Sequence, residues 1–121
     1  MNLKLIEIIL RVGVFGTFLG HGLIALKSIP DWIPYLTTIG FSTEQAINIM
    51  PVIGVIDILV AFITLIKPLK PVLIYAFVWA FLTALIRPIA GDSFLMFVER
   101  AANWVVPLAL YFYLFNPIKK P

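Results

Sequence analysis

Cysteine is absent from this chain of 121 residues, and histidine occurs once. Without cysteine, the sequence can form no disulfides, thiolate metal sites or cysteine nucleophiles. A single histidine excludes a haem held by two histidines of this chain, and it disfavours a metal site built from histidine and carboxylates. We therefore predict no metal site and no catalytic residue of these kinds.

Charged residues are also scarce. They make up 12% of the chain, against 62% hydrophobic residues, whereas a soluble domain carries about 25% charged and about 45–50% apolar residues. So small a domain would leave much of this apolar surface in water. The formal charge is +3, from 9 basic and 6 acidic residues. The apolar composition therefore predicts a lipid bilayer as partner. Because the basic residues are scattered and form no cluster, we predict no nucleic-acid partner.

Four long apolar segments, separated by Pro, Gly and Asp clusters, account for most of the chain. Their bounds are about 3–27, 43–67, 72–87 and 93–115. At a rise of 1.5 Å per residue, each spans or nearly spans a hydrocarbon core of about 30 Å. The sequence predicts one all-α domain over residues 1–121, an integral membrane four-helix bundle. Ser42 is the expected N-cap of the second helix, and Pro88 the expected end of the third.

Lysine placement predicts the orientation. Lys4, Lys67, Lys70, Lys119 and Lys120 share one side with both termini. Because basic residues favour the cytoplasmic side, we predict cytoplasmic N and C termini in a multi-pass protein of the inner membrane. Trp32 and Tyr35, in the connection predicted to be external, suit an interfacial aromatic belt.

Seven ionisable residues lie within or at the edges of the apolar segments: Glu7, Arg11, His21, Asp57, Arg87, Glu99 and Arg100. A charge at the bilayer centre costs at least about 2.5–3.5 kcal/mol, so these side chains are expected to face the bundle interior and find partners. Glu7 and Arg11 are four residues apart on one helix, a spacing that favours a structural ion pair. Arg11 also lies at the depth of Asp57, which makes a pair between helices an alternative.

Depth and helical spacing predict a polar ligand pocket in the outer half of the bundle. Its expected residues are His21, Asp57, Arg87, Glu99, Arg100 and Asn103. Pro107 lacks an N–H, which frees the main-chain oxygen of Asn103 to join them. The alternative is that these charges only set the register and order of the helices.

Three glycines of the first helix lie on the face opposite Arg11. Gly13, Gly16 and Gly20 cluster about 140–200° from Arg11 around the helix axis. Small residues let helices approach closely in lipid, so this face is predicted to seat a partner subunit or a second copy. The alternative is a neighbouring helix of the same chain.

The order of these features resembles the DoxX-like family of small four-helix membrane proteins. The resemblance is carried by Arg11 and the glycine-rich run after it, by Gly20-His21-Gly22 leading to Lys27, and by Asp57 in helix two. It implies a redox-type membrane complex in which this chain is an accessory subunit with a quinone-like ligand. His21 would then bind a carbonyl oxygen and exchange its proton. A purely structural or assembly subunit is the chief alternative, and a small transporter is the third.

Overall fold

The computed structural model describes residues 2–115, and every regular element within that range is helical. In chain order these elements are α1 (Leu3–Leu26), a 3₁₀ turn (Pro30–Trp32), α2 (Ile33–Thr38), α3 (Thr43–Ile66), α4 (Lys70–Ile89), α5 (Phe94–Glu99) and α6 (Ala101–Phe115). Four spans are long and apolar enough to cross a membrane: α1, α3, α4, and α5 together with α6. The chain is thus an all-helical, multi-pass membrane protein, as its composition predicts.

Side-chain caps define where two of the long helices begin. Asn2 accepts a hydrogen bond from the Leu5 N–H and caps α1. The predicted N-cap of α3 is confirmed: Ser42 accepts from the Gln45 N–H, and the Gln45 side chain accepts from the Ser42 N–H. This reciprocal arrangement satisfies main-chain donors that have no partner inside the helix.

Helix α4 is longer than its apolar segment suggests. Pro71 lies in its first turn, where the missing N–H costs nothing because it would have no helical partner. The prediction that Pro88 ends the helix is wrong, because Ala90 N donates to Ile86 O at 2.8 Å and closes a further turn. A proline in the last turn removes only one hydrogen bond, which leaves the helix intact to Ile89.

The fourth span is interrupted, where the sequence predicts one continuous helix. At Arg100 the helical bonds tighten: Arg100 N donates to Phe97 O at 3.2 Å, and Asn103 N donates to Arg100 O at 3.0 Å. Each bond spans three residues instead of four, which separates α5 from α6. A face assigned by a steady 100° per residue therefore does not continue across this position.

The long helices pack unevenly around the core. The most extensive contacts join α1 to α3 and α4 to α6, and α1 also packs on α6, whereas α3 and α4 touch only sparsely. The core side chains include Phe18, Leu73 and Leu110. The closest helix crossing is between Gly22 and Gly54: a Cβ on Gly54 would lie 2.7 Å from the Gly22 carbonyl oxygen. Only glycine fits at this approach of α1 to α3.

The two ends of the bundle differ in their connections. The long-loop end comprises residues 27–42 and 90–93, and the short-turn end comprises residues 67–69 with Asn2 and Phe115. Ser28 Oγ donates to Ile47 O at 3.0 Å at the long-loop end. Gly40 and Gly91 have φ values of 111° and 106°, a backbone conformation that favours glycine. The Ser28 hydrogen bond to Ile47 ties the start of the long connection to α3.

Candidate functional site

An ion pair near the short-turn end joins Glu7 and Arg11. Arg11 Nη1 lies 2.9 Å from Glu7 Oε2, and Lys4 Nζ lies 3.8 Å from the same oxygen. Arg11 also reaches across to the last turn of α3. Its Nη2 donates to the carbonyl oxygens of Leu65 at 2.7 Å and Ile66 at 2.6 Å. The guanidinium therefore has several partners at once.

This arrangement follows from the chemistry of a helix end. The last four carbonyls of α3 have no N–H partners within the helix, and they carry the negative end of its dipole. Arg11 Nε donates to one more of them, Thr64 O, at 3.3 Å. Arg11 thus pairs with Glu7 and with the end of α3, and the alternative pair between Arg11 and Asp57 does not form.

A cavity lies in the half of the bundle next to the long loop. Its volume is about 310 Å³. It lies beside the sparse contact between α3 and α4, and the long connection closes one end. Most wall atoms are apolar. The wall residues are His21, Ala25, Trp32, Tyr35, Leu36, Ile39, Met50, Ile53, Asp57, Trp79, Leu82, Thr83, Leu85, Ile86, Arg87 and Ile89.

Two buried polar groups in this wall keep atoms without partners. Asp57 is 2% exposed and Arg87 is 5% exposed. Among residues 2–115, Asp57 Oδ1 and Arg87 Nε have no hydrogen-bond partner. A buried polar atom left without a partner costs about 1–3 kcal/mol. Thr64 Oγ1 and Trp104 Nε1 also lack partners in the described range, but of the four only the atoms of Asp57 and Arg87 lie in the wall of the cavity. This arrangement is typical of a site that binds a polar group.

The remaining atoms of Arg87 tie α4 to the long connection. Arg87 Nη1 donates to Tyr35 Oη at 3.0 Å, and Tyr35 Oη donates to Asp92 Oδ2 at 2.6 Å. The Arg87 guanidinium lies over the Tyr35 ring at 4.8 Å and the Trp32 ring at 5.9 Å. Trp32 also meets the His21 ring edge to face at 5.8 Å. One guanidinium thus organises the loop that closes the cavity.

The hydroxyl of Tyr35 keeps its proton in this network. Its desolvation raises the pKa of Tyr35 above the usual value, and the hydrogen bond to Asp92 raises the pKa further. The nearby Arg87 cation acts in the opposite direction and is outweighed. Tyr35 therefore stays neutral and donates to the Asp92 carboxylate at physiological pH.

The structure brings together three of the six residues predicted for the pocket. His21, Asp57 and Arg87 line the cavity, whereas Glu99, Arg100 and Asn103 do not. The Glu99 side chain is 64% exposed and lies 2.6 Å from Arg100 Nη1. The break at Arg100 explains the difference, because the predicted common face of the fourth segment assumed an uninterrupted helix.

The three glycines predicted to pack a partner lie in different surroundings. A Cβ on Gly13 would lie 3.2 Å from Val106 Cγ1, so Gly13 faces α6 of the same chain. A Cβ on Gly16 or Gly20 would meet nothing within 4 Å. The open glycine face is therefore limited to Gly16 and Gly20.

Sequence reasoning missed several residues of the site. Trp32 and Tyr35 were assigned to an aromatic belt, and Asp92 to a connection, because hydropathy alone does not show a fold-back of the long loop. The cavity residue Trp79 lies inside the apolar third segment, and its sequence position gives no sign that it lines a cavity. One sequence feature points to the network at the cavity rim. Arg87 lies near the end of an apolar segment, just before Pro88, and the connection that follows contains Asp92, an acid that could pair with it.

Comparison with known proteins adds no relative: no family model, curated protein or solved structure matches the chain.

Proposed function

We propose that this membrane protein binds a lipid-soluble small molecule with a hydrogen-bonding head, of the quinone class, in the cavity between α3 and α4. We further propose that it does so as an accessory subunit of a redox-type complex, as its resemblance to the DoxX-like family implies. One observation carries the proposal. Within an otherwise apolar cavity, Asp57 and Arg87 each keep a buried polar atom without a partner.

The size and lining of the cavity suit such a ligand. Small-molecule sites occupy about 300–1,000 Å³ and combine apolar walls with a few polar groups that orient the ligand. This cavity, at about 310 Å³, falls at the small end of that range. Trp79 offers an aromatic surface for a planar ring. The sparse contact of α3 with α4 supports a route by which an apolar tail reaches the lipid.

Each polar residue has a distinct role in the proposal. Arg87 donates from Nε to a carbonyl oxygen and stabilises negative charge that develops there. On the other side of the head, Asp57 Oδ1 accepts from a hydroxyl of the reduced quinol, and a protonated Asp57 donates to a carbonyl of the oxidised quinone. His21, which also lines the cavity, hydrogen-bonds the ligand and exchanges a proton with it, since an imidazole nitrogen can donate or accept. A bound quinone would supply the electron-accepting chemistry, and we assign electron delivery to a partner subunit.

The open glycine face supports a place for that partner. Gly16 and Gly20 are four residues apart on α1, and a Cβ on either would meet no atom of the described residues within 4 Å. Such a pair permits close approach of another helix in lipid. Replacing both with leucine should reduce the size of the native complex, and an unchanged size would count against this assignment.

Tryptophan fluorescence provides a direct binding test. The chain has three tryptophans, of which Trp32 and Trp79 line the cavity. Trp104 instead packs against Phe81 and Phe97. The purified protein in nanodiscs, carrying Trp104→Phe, is titrated with decylubiquinone. We expect quenching that saturates, because the quinone occupies one site beside the two remaining indoles.

Two controls separate binding from collision in the bilayer. A variant that keeps only Trp104 should show quenching that rises linearly and does not saturate. Asp57→Leu should weaken saturable quenching at least about tenfold, the effect of about 1.4 kcal/mol. Thr64→Val, which alters a buried group on α3 outside the cavity, should leave it unchanged. Linear quenching in all variants would refute the proposal.

A structural or assembly role is the second candidate, and the network at the cavity rim favours it. The Asp92–Tyr35–Arg87 contacts connect the long loop to α4 without requiring a ligand. In that case Asp57 and Arg87 variants change the amount of assembled complex and leave saturable quenching absent throughout. The fluorescence titration therefore distinguishes the two candidates.

A further inference from the structure

The ion pair of Glu99 and Arg100 is not explained by the cavity. It lies at the break between α5 and α6, in a span that runs over Phe94–Phe115. Glu99 is six positions into that span, about 8–9 Å from its beginning. With 64% of its side chain exposed, Glu99 points away from the rest of the chain. Embedded ions usually face a protein interior, so an outward one indicates a missing neighbour.

Asn103 lies one helical turn further along the same span. Its side chain is half-buried, and the side-chain amide forms no hydrogen bond with any residue in the range 2–115. An amide in hydrocarbon gains by bonding to another helix, and Asn in a membrane span is a common contact between helices. Arg100 Nη1 already donates to Glu99 Oε1 and Met96 O. The unused bonding capacity therefore lies in the second carboxylate oxygen of Glu99, the other N–H groups of Arg100 and the Asn103 amide.

Exposed apolar side chains flank this polar group. Phe94, Leu95 and Val98 of α5 are all exposed, although they lie within one and a half turns of one another. The surface thus has polar groups at its centre and apolar side chains around them. Such a surface packs better against protein than against lipid tails, because lipid tails form no hydrogen bonds with the polar groups.

We propose that the surface formed by Phe94, Leu95, Val98, Glu99, Arg100 and Asn103 packs against the same surface of a second copy of this chain. The two-fold axis would run along the membrane normal, which keeps both copies in one orientation and at one depth. Charge complementarity identifies this occupant. Under that axis Glu99 of each copy faces Arg100 of the other, and Asn103, both donor and acceptor, bonds its own counterpart.

This inference does not depend on the proposed ligand, and its tests involve none. The absence of cysteine allows single cysteines to report proximity without a background. Val98→Cys places a thiol in the proposed interface, and Ile47→Cys places one on α3, away from both proposed packing faces. The native side chains are similar in exposure, at 50% and 43%, and each lies about one turn after the first residue of its span. Both variants are oxidised at low protein density in liposomes.

We expect Val98→Cys to form a disulfide-linked dimer, at about twice 13.6 kDa, much faster than Ile47→Cys. Equal rates for the two positions would overturn the proposal and leave Glu99 and Arg100 to pair with lipid head groups. A Val98 crosslink only to a different protein in native membranes would overturn it too.

Charge reversal in trans tests the pairing itself. Glu99→Arg and Arg100→Glu are each added to the Val98→Cys background and expressed alone or together with different tags. Alone, each should give about tenfold less crosslinked dimer, because like charges meet across the axis. Together they should form mixed dimers at or above the original yield. A purely intrachain ion pair could not be rescued by another molecule, so failure of the mixed dimer would refute the charge pairing.

Discussion

Two embedded groups of charged residues in this protein differ in how completely their side chains are bonded. Near the short-turn end, Arg11 contacts Glu7 and three main-chain carbonyls of α3. Along the cavity, Arg87 lies near the long-loop end and Asp57 beyond the middle of α3. Both are more deeply buried, and each keeps an atom without a partner among residues 2–115. The first cluster completes a helix end, whereas the second surrounds a cavity.

The difference shows that burial of a charge does not by itself identify a functional site. A guanidinium among unpaired carbonyls is explained by the needs of the fold alone. A carboxylate and a guanidinium that remain incompletely bonded beside an apolar cavity are not explained in that way, and we attribute them to the ligand binding proposed above. The comparison predicts that stability depends on the first cluster and binding on the second.

Removing Arg11 should have the largest effect on stability. Arg11→Leu leaves Glu7 and the last carbonyls of α3 without their main partner, and we expect a loss of about 3 kcal/mol, the low end for breaking a buried pair. Unfolding by SDS titration in mixed micelles, followed by circular dichroism, measures it. Arg11→Lys keeps the positive charge but not the planar set of guanidinium N–H donors, so it should lose less stability than Arg11→Leu. An unchanged midpoint for Arg11→Leu would remove the distinction between the clusters.

The glycine crossing comes next. In Gly54→Ala the new Cβ would lie 2.7 Å from the Gly22 carbonyl oxygen, a backbone atom that cannot move aside alone. Such overpacking costs about 1–3 kcal/mol. Gly16→Ala is the matched control on α1, since its Cβ meets nothing within 4 Å. In the same SDS titration, we expect the unfolding midpoint to fall for Gly54→Ala and not to fall for Gly16→Ala. Equal losses would mean that helix propensity, not packing, decides both.

Loss of the Tyr35 hydroxyl should have a smaller effect, confined to the long-loop end. Tyr35→Phe removes the bonds to Asp92 and Arg87, with an expected cost of about 1 kcal/mol. Amide exchange should quicken in α2 and not in α1. Since the pKa of Tyr35 is raised on folding, its contribution is complete below about pH 10 and is lost as the pH rises through the folded-state value. The difference in unfolding free energy between Tyr35→Phe and the parent should therefore stay constant around neutral pH. A difference that changed with pH in that range would contradict this network.

Asp57→Leu should have the smallest effect on stability. Because Asp57 Oδ1 has no partner in the described chain, removing the carboxyl relieves a desolvation cost, and the unfolding midpoint should stay the same or rise by about 1 kcal/mol. The SDS titration used for Arg11 gives the direct contrast. A loss comparable to that of Arg11→Leu would show that Asp57 serves the fold, which would weaken the binding proposal.

Much of the helical architecture could be read from the sequence. The four spans and the Ser42 cap follow from local features: apolar length, proline and glycine punctuation, and a hydroxyl before a run of helix formers. The interruption at Arg100 and the continuation of α4 past Pro88 could not be read, because each depends on a few main-chain bonds near a helix end. Of the residues predicted for the pocket, His21, Asp57 and Arg87 on unbroken helices line the cavity, whereas those on the fourth span, whose predicted face crosses the break, do not.

Composition by itself determined that this chain folds in a lipid bilayer and that few charged residues lie within it. Any water-soluble fold of so small and apolar a chain would leave a large apolar surface in contact with water. The tertiary structure alone decided which of those ions meet carbonyls, which line a cavity, and which face outward. Those outcomes depend on where α1 crosses α3 at Gly22 and Gly54, how little α3 touches α4, and how the loop carrying Tyr35 folds back. These are distances between residues far apart in the chain, and hydropathy and helical period describe only neighbours along it.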